Sequence, residues 1–89
     1  MNGDMRWGLV IGSRAKRQLR RLTDPERRQI NAAFSEMREN PYRGDVQFLK
    51  GSDGALRRRI GDWRILFDLE PEHKAIVVTA IKRRGSNTY

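Results

Sequence analysis

The chain has 89 residues, enough for one small domain with a single thin core, which we place at 1–89 with flexible ends at 1–4 and 85–89. The chain has 19 Lys and Arg residues and 11 Asp and Glu residues, which gives a net charge of +8, and most of the basic residues are arginine. Because arginine suits bidentate contacts to phosphate, this charge balance indicates nucleic acid or an acidic protein as partner. With no cysteine and one histidine, disulfides and a thiolate or histidine metal centre are excluded, so we expect no cofactor.

No apolar leader or membrane-length run is present, so a soluble cytoplasmic protein without a membrane association is expected. The first predicted element is a strand at Met5–Ile11, where apolar and other residues alternate. A short helix follows, with Ser13 as its predicted cap and apolar positions at Ala15, Leu19 and Leu22.

A second helix is predicted to begin at Thr23 or Asp24. Thr23 can cap with Glu26 three residues on, or Asp24 can cap with a proline in the first turn, and both alternatives stay open. The helix ends at Asn40-Pro41, and its apolar stripe consists of Ile30, Ala33, Phe34 and Met37. The two helices should form a hairpin whose outer face is either simply solvated or docks on nucleic acid. That face carries Arg14, Lys16, Arg17, Arg20, Arg21, Arg27 and Arg28.

The connection over Tyr42–Asp53 is predicted to be loop with a short extended piece. We expect it to tuck its apolar side chains under the helices, namely Val46, Phe48 and Leu49. A β-hairpin then spans Leu56–Phe67, with Gly61-Asp62 as its two-residue turn.

Alternation along this hairpin places three arginines on one face of the sheet, namely Arg57, Arg59 and Arg64. Arg59 should lie opposite Arg64, a like-charge pair that costs a few tenths to about 1 kcal/mol. Either an anion normally sits between the two, or both extend into water. Arg58 falls on the opposite face, towards the helices, and must reach the edge of the core or find a carboxylate.

After a turn at Glu70–His73, with His73 exposed, the run Ala75–Ile81 is typical of a central strand. The predicted fold is α+β: an N-terminal strand, a helical hairpin, then a three-stranded antiparallel meander, with the helices on one face of a four-stranded sheet. The open face should carry the three hairpin arginines together with Arg83.

The order of elements, the segment LRRRIGDWRILF, the strand AIVVTAI and the closing KRRGSNTY resemble the RelE/ParE superfamily of toxins from bacterial toxin-antitoxin systems. The RelE branch implies ribosome-dependent mRNA cleavage, and therefore inhibition of translation, by basic sheet residues and a C-terminal tyrosine. When the family motif is matched to this sequence position by position, the resemblance implies that the catalytic residues are Arg57, Arg59, Arg64, Arg83 and Tyr89. The last two stand six residues apart, as the family pattern asks.

In that chemistry the RNA's own 2′-hydroxyl attacks the neighbouring phosphorus. The arginines would stabilise charge, and Tyr89, whose phenolate nearby cations favour, would be the base. We expect further RNA contacts from Lys82, Arg84, Arg17 and Arg21. The resemblance also implies a cognate antitoxin, acidic or amphipathic, in a hetero-oligomer with the toxin, and the ribosome and mRNA as partners.

Two other functions fit the same residues. A ParE-like toxin would inhibit DNA gyrase and cut no RNA. A basic RNA- or ribosome-binding module would bind through the same arginines without cleavage.

Overall fold

The computed structural model describes residues 6–49 and 55–83. The two helices are α1 (Ser13–Arg20) and α2 (Asp24–Glu39), and a short 3-10 turn covers Pro71–His73. The strands are β1 (Gly8–Ile11), β2 (Val46–Phe48), β3 (Leu56–Ile60), β4 (Trp63–Glu70) and β5 (Ala75–Arg83). Within the described ranges, no helix is both long enough and apolar enough to cross a membrane.

The strands form one sheet in the order β1-β5-β4-β3-β2. Only the pairing of β1 with β5 is parallel, so the sheet is mostly antiparallel and β5 lies in its interior. The predicted α+β class is confirmed. The predicted strand number is wrong, because the sheet has five strands and β2 is the additional one.

Strand β2 also corrects the prediction for the connection that contains it. Val46 packs against the core, but Phe48 is 75% exposed instead of lying under the helices. The reason is its place at the outer edge of the sheet, where β2 pairs only with β3. Three residues are too few for alternation to reveal a strand from sequence.

The predicted start of α1 is wrong by one residue, whereas one of the two alternatives for the start of α2 is confirmed. Ser13 is not a cap but the first residue of α1, and Gly12 occupies the cap position. The Gly12 N–H donates to the Val78 carbonyl at 2.9 Å, and a Cβ on Gly12 would lie 3.2 Å from that oxygen, so a larger residue there would require α1 and β5 to separate by a few tenths of an ångström. Helix α2 begins with the first of the two alternatives, a capping box between Thr23 and Glu26.

The core lies between the helices and one face of the sheet. The predicted stripe of α2 is buried, and α1 contributes Ala15 together with the half-buried Leu19. From the sheet, the core includes Leu56, Trp63, Ile65, Phe67, Ile76, Val78 and Ile81. Trp7, Leu9, Leu22 and Ile60 are partly buried and pack against this cluster. The opposite face of the sheet has no helix on it among the described residues.

The predicted hairpin turn is confirmed, since β3 ends at Ile60, β4 begins at Trp63, and Gly61 has a φ of +56° that glycine adopts freely. Ile60 pairs with Trp63, and Arg59 pairs with Arg64. His73 is exposed in its turn, as predicted.

Candidate nucleic-acid interface

Four basic residues lie on the open face of the sheet, across β3, β4 and β5. Arg59 pairs with Arg64, and Arg64 pairs in turn with Lys82. Arg57 lies two residues before Arg59 on β3 and therefore shares its face. We call these four residues, Arg57, Arg59, Arg64 and Lys82, the basic face.

The basic face brings its positive charges close together. Neighbouring strands lie about 4.8 Å apart, and residues two apart along a strand are separated by about 7 Å. Arg59, Arg64 and Lys82 therefore form a row perpendicular to the strands, with Arg57 to one side in the next row. Positive charges this close repel one another, and a bound anion relieves that repulsion.

The arginines of the basic face are not simply extended into water. Arg57 is only 8% exposed, and Arg59 and Arg64 are half-buried. In the described part of the chain, the buried Nη1 of Arg57 and the buried Nε atoms of Arg59 and Arg64 have no hydrogen-bond acceptor. A buried donor without an acceptor costs about 1–3 kcal/mol. The Nε of Arg58, on the helix side, lacks an acceptor as well, so it is the like charge of the paired Arg59 and Arg64 that favours a bound anion.

Arg57 is held by the neighbouring edge of the sheet. Its Nη2 donates to Oε1 of Gln47 at 2.7 Å, and the same nitrogen lies 3.6 Å from a carboxylate oxygen of Asp45. Gln47 is the cross-strand partner of Arg57, which puts its side chain on the open face. The sheet edge therefore orients one arginine of the basic face.

Arg58 points towards the helices, and its guanidinium is paired with a carboxylate. Its guanidinium, on a residue only 6% exposed, forms an ion pair with Glu36 of α2 and donates to the Arg43 carbonyl at 3.3 Å. The expectation that Arg58 needs a carboxylate or the edge of the core is confirmed. Because the pair joins α2 to β3, it also ties the strand of Arg57 and Arg59 to the helical layer.

The structure corrects the predicted position of Arg83. Arg83 pairs with Trp63, so it lies on the helix side of the sheet and not on the open face. Its guanidinium carbon is 4.5 Å from the centre of the Trp63 ring, a cation–π contact, and it forms an ion pair with Glu26 at the start of α2.

The physical reason is the length of β5. We predicted a strand that ends at Ile81, but β5 continues to Arg83, so the alternation of faces continues as well. Ile81 points into the core, Lys82 points to the open face, and Arg83 points back towards the helices. Lys82 thus occupies the place on the open face that we had assigned to Arg83.

Glu26 serves both the cap of α2 and the ion pair with Arg83. Its pKa lies below the ordinary value, chiefly because the carboxylate accepts a hydrogen bond from the backbone N–H of Thr23. The hydrogen bonds and charge of Arg83 and the Thr23 side chain also lower the pKa, while partial burial raises it.

Because the pKa of Glu26 is lower in the folded chain than in the unfolded chain, its stabilising effect is present above the unfolded pKa and is lost as the pH falls through the folded pKa. We therefore expect Glu26→Gln to destabilise the protein at neutral pH, and the difference from wild type to shrink between about pH 5 and pH 3. Urea unfolding of both proteins across this range measures the difference. A difference that stays constant with pH would contradict the assignment.

Two of the remaining predicted site residues, Arg17 and Arg21, are not part of the basic face. Arg17 and Arg21 are exposed at the end of α1, on the helix side of the sheet, and so belong to a separate surface. Arg84 and Tyr89, like the ends at 1–4 and 85–89, lie outside the described residues. In the ranges that the structure describes, no cluster of three or more His, Cys, Asp or Glu is arranged to hold a metal ion.

Three residues that hold the arginines were not predicted in that role: Gln47, Glu36 and Glu26. They lie 10, 22 and 57 residues from their arginines, and the signal in the sequence was indirect. An arginine on a core-facing strand position requires a carboxylate, but the sequence offers 11 acidic residues and no means of choosing among them.

No protein-family model matches the chain, and no curated protein matches it. Solved structures do. A chain of the toxin-antitoxin complex RelBE2 from Mycobacterium tuberculosis superposes with a TM-score of 0.79 at 22% identity, covering 90% of this chain and 100% of that one. A chain of the archaeal RelE-RelB complex from Pyrococcus horikoshii OT3 gives 0.77 at 23% identity, covering 91% and 98%. The isolated E. coli RelE toxin gives 0.75 at 17% identity, covering 91% and 87%. The chain therefore has the fold of the RelE toxins.

Proposed function

We propose that this chain is the toxin of a toxin-antitoxin pair and acts as a ribosome-dependent mRNA endonuclease that inhibits translation. The observation that carries the proposal is the basic face, in a chain with the RelE fold. Arg59, Arg64 and Lys82 form one row with Arg57 beside it, on a sheet face that no helix of the described residues covers. The repulsion between these closely spaced positive charges supports an anionic ligand there.

The proposed reaction is metal-independent and uses the RNA's own 2′-hydroxyl as nucleophile. Arginine is protonated at all relevant pH values, so Arg57, Arg59 and Arg64 would stabilise the negative charge that develops on the phosphorane. Lys82 would contact a neighbouring phosphate. Tyr89, outside the described residues, remains the proposed base. Much of the rate would come from the ribosome, which holds the 2′-hydroxyl in line with the phosphorus.

A catalytic role for Arg83 requires a movement. Its guanidinium is paired with Glu26 and stacked on Trp63, on the other side of the sheet from Arg64. To assist the leaving group, Arg83 would have to release Glu26 and swing around the end of β5. Arg17, Arg21 and Arg84 are proposed as contacts to ribosomal RNA and not to the scissile phosphate.

The proposed regulator is a cognate antitoxin that works in the cytoplasm and forms a hetero-oligomer with the toxin. Two of the similar solved structures are such complexes, RelBE2 and RelE-RelB. An acidic, amphipathic segment would complement the net charge of +8 and order on binding.

A second function is a basic RNA- or ribosome-binding module that does not cut. The position of Arg83 favours it, because one of the residues expected at the scissile phosphate is engaged elsewhere. In that case substitutions on the basic face would weaken RNA binding and its salt dependence together, with no cleavage to lose.

One experiment in cells separates these functions from a ParE-like action on gyrase. The protein is expressed from an inducible promoter, mRNA 5′-ends are mapped by primer extension, and plasmid supercoiling is measured in the same cells. We expect new mRNA ends within translated regions and unchanged supercoiling. Loss of supercoiling without new ends would support the gyrase function instead, and arrested translation without either would support the binding module.

A further inference from the structure

The edge strand β2 contacts the basic face through a single side chain. Oε1 of Gln47 accepts a hydrogen bond of 2.7 Å from Nη2 of Arg57, whose Nη1 has no acceptor among the described residues. We propose that Gln47 is a positioning residue for Arg57: by holding Nη2, it fixes the direction in which the guanidinium presents its charge to an RNA phosphate on the open face. The inference rests on the proposed function, since it assumes that Arg57 contacts RNA.

The chemistry of the acceptor matters. An unrestrained arginine loses much of its rotamer freedom when it binds a phosphate, and a hydrogen bond made beforehand removes part of that cost. A neutral amide oxygen restrains the guanidinium without cancelling its charge, whereas a carboxylate in the same place would compete with phosphate. Among the described residues, Arg57 also forms an ion pair with Asp45 at 3.6 Å, but that carboxylate is more than half exposed and beyond hydrogen-bond distance, so solvent weakens its competition with phosphate.

Gln47 can only position Arg57 if the chain around it is fixed, and two contacts with β3 fix it. Within the plane of the sheet, the backbone N–H of Arg59 donates to the Asp45 carbonyl at 3.0 Å. On the helix side, Arg58 donates to the Arg43 carbonyl at 3.3 Å.

The turn between these residues passes close to Arg58. Gly44 has a φ of +91°, and a Cβ there would lie 3.0 Å from the guanidinium carbon of Arg58. The segment from Arg43 to Gln47 is therefore anchored to β3 by a backbone hydrogen bond and by the Arg58 side chain, and Gln47 meets Arg57 in a fixed register.

The test measures single-turnover cleavage of a defined mRNA on purified programmed ribosomes, at several KCl concentrations. Gln47→Ala should slow cleavage at subsaturating protein by about tenfold, the equivalent of one lost charge-assisted hydrogen bond. Gln47→Glu keeps the acceptor but adds charge, so it should slow cleavage at least as much and also reduce the salt dependence, as expected when a phosphate contact is lost. Asn31→Ala, on the exposed side of α2, is the matched amide control and should behave as wild type.

The decisive comparison is made in the Arg57→Gln background, where Gln47→Ala should have no further effect. The inference alone is overturned if Arg57→Gln slows cleavage while Gln47→Ala does not, or if Gln47→Ala slows cleavage equally with and without Arg57. Thermal unfolding of each variant shows whether a variant with slow cleavage is still folded. If Gln47→Ala is unfolded, the salt dependence of cleavage by Gln47→Glu tests the inference instead. No cleavage by folded wild-type protein would overturn the proposed function, and the inference with it.

Discussion

Replacing Arg64 by glutamine should slow ribosome-dependent mRNA cleavage by about a hundredfold or more while leaving the fold intact. Arg64 is the centre of the basic face, in register with Arg59 on one side and Lys82 on the other. Any phosphate bound across the row must lie near it. A donor aimed at developing negative charge contributes to the transition state more than to substrate binding, so the maximal rate should fall more than the apparent affinity.

The matched control is Arg28→Gln, which removes the same charge from an exposed position on α2, on the other side of the sheet. It lowers the net charge equally, so a general loss of attraction to RNA would slow both variants alike. Equal rates for the two variants, with both folded, would contradict a specific role for the basic face.

Removing the carboxylate of Glu36 should give a large loss of stability, about 2 kcal/mol in the free energy of unfolding. Glu36 is the ion-pair partner of Arg58, and without it the buried guanidinium keeps only the Arg43 carbonyl among its observed contacts. For a domain of this size, such a loss lowers Tm by roughly 8–16 °C. Chemical and thermal unfolding of Glu36→Ala measure both quantities.

Glu39→Ala is the control for this prediction, because Glu39 is exposed one turn further along the same helix and has no ion pair among the described residues. Arg58→Met should rescue Glu36→Ala in part, since methionine fills the space without a charge to bury. If Glu36→Ala and Glu39→Ala unfold at the same urea concentration, the ion pair does not stabilise the fold.

Most of the architecture was predictable from local sequence patterns. The stripe of α2, the Gly61-Asp62 turn and the apolar run of β5 each carry a periodicity or a turn signal within a few neighbouring residues. The like-charge pair Arg59–Arg64 followed from the turn alone, because a two-residue connection fixes the register of the hairpin.

The errors came from element lengths and from long-range partners. Two extra residues at the end of β5 moved Arg83 to the helix side and brought Lys82 to the open face, since every added strand residue changes the face. Strand β2 is too short to show alternation, so the contact between Gln47 and Arg57 was hidden. Glu36 and Glu26 lie more than 20 residues from their arginines, and only the packing of α2 on the sheet brings them together.

The most direct measurement of the proposed function uses purified ribosomes programmed with an mRNA whose A-site codon is either all-ribose or carries 2′-deoxyribose at the cleaved position. We expect wild-type protein to cut the ribose message only, to leave a 2′,3′-cyclic phosphate, and to lose this cleavage when Arg57, Arg59 and Arg64 are all replaced by glutamine. Cleavage of the 2′-deoxy message, or an undiminished rate for the folded triple variant, would contradict the proposal that the basic face promotes attack by the RNA's own hydroxyl.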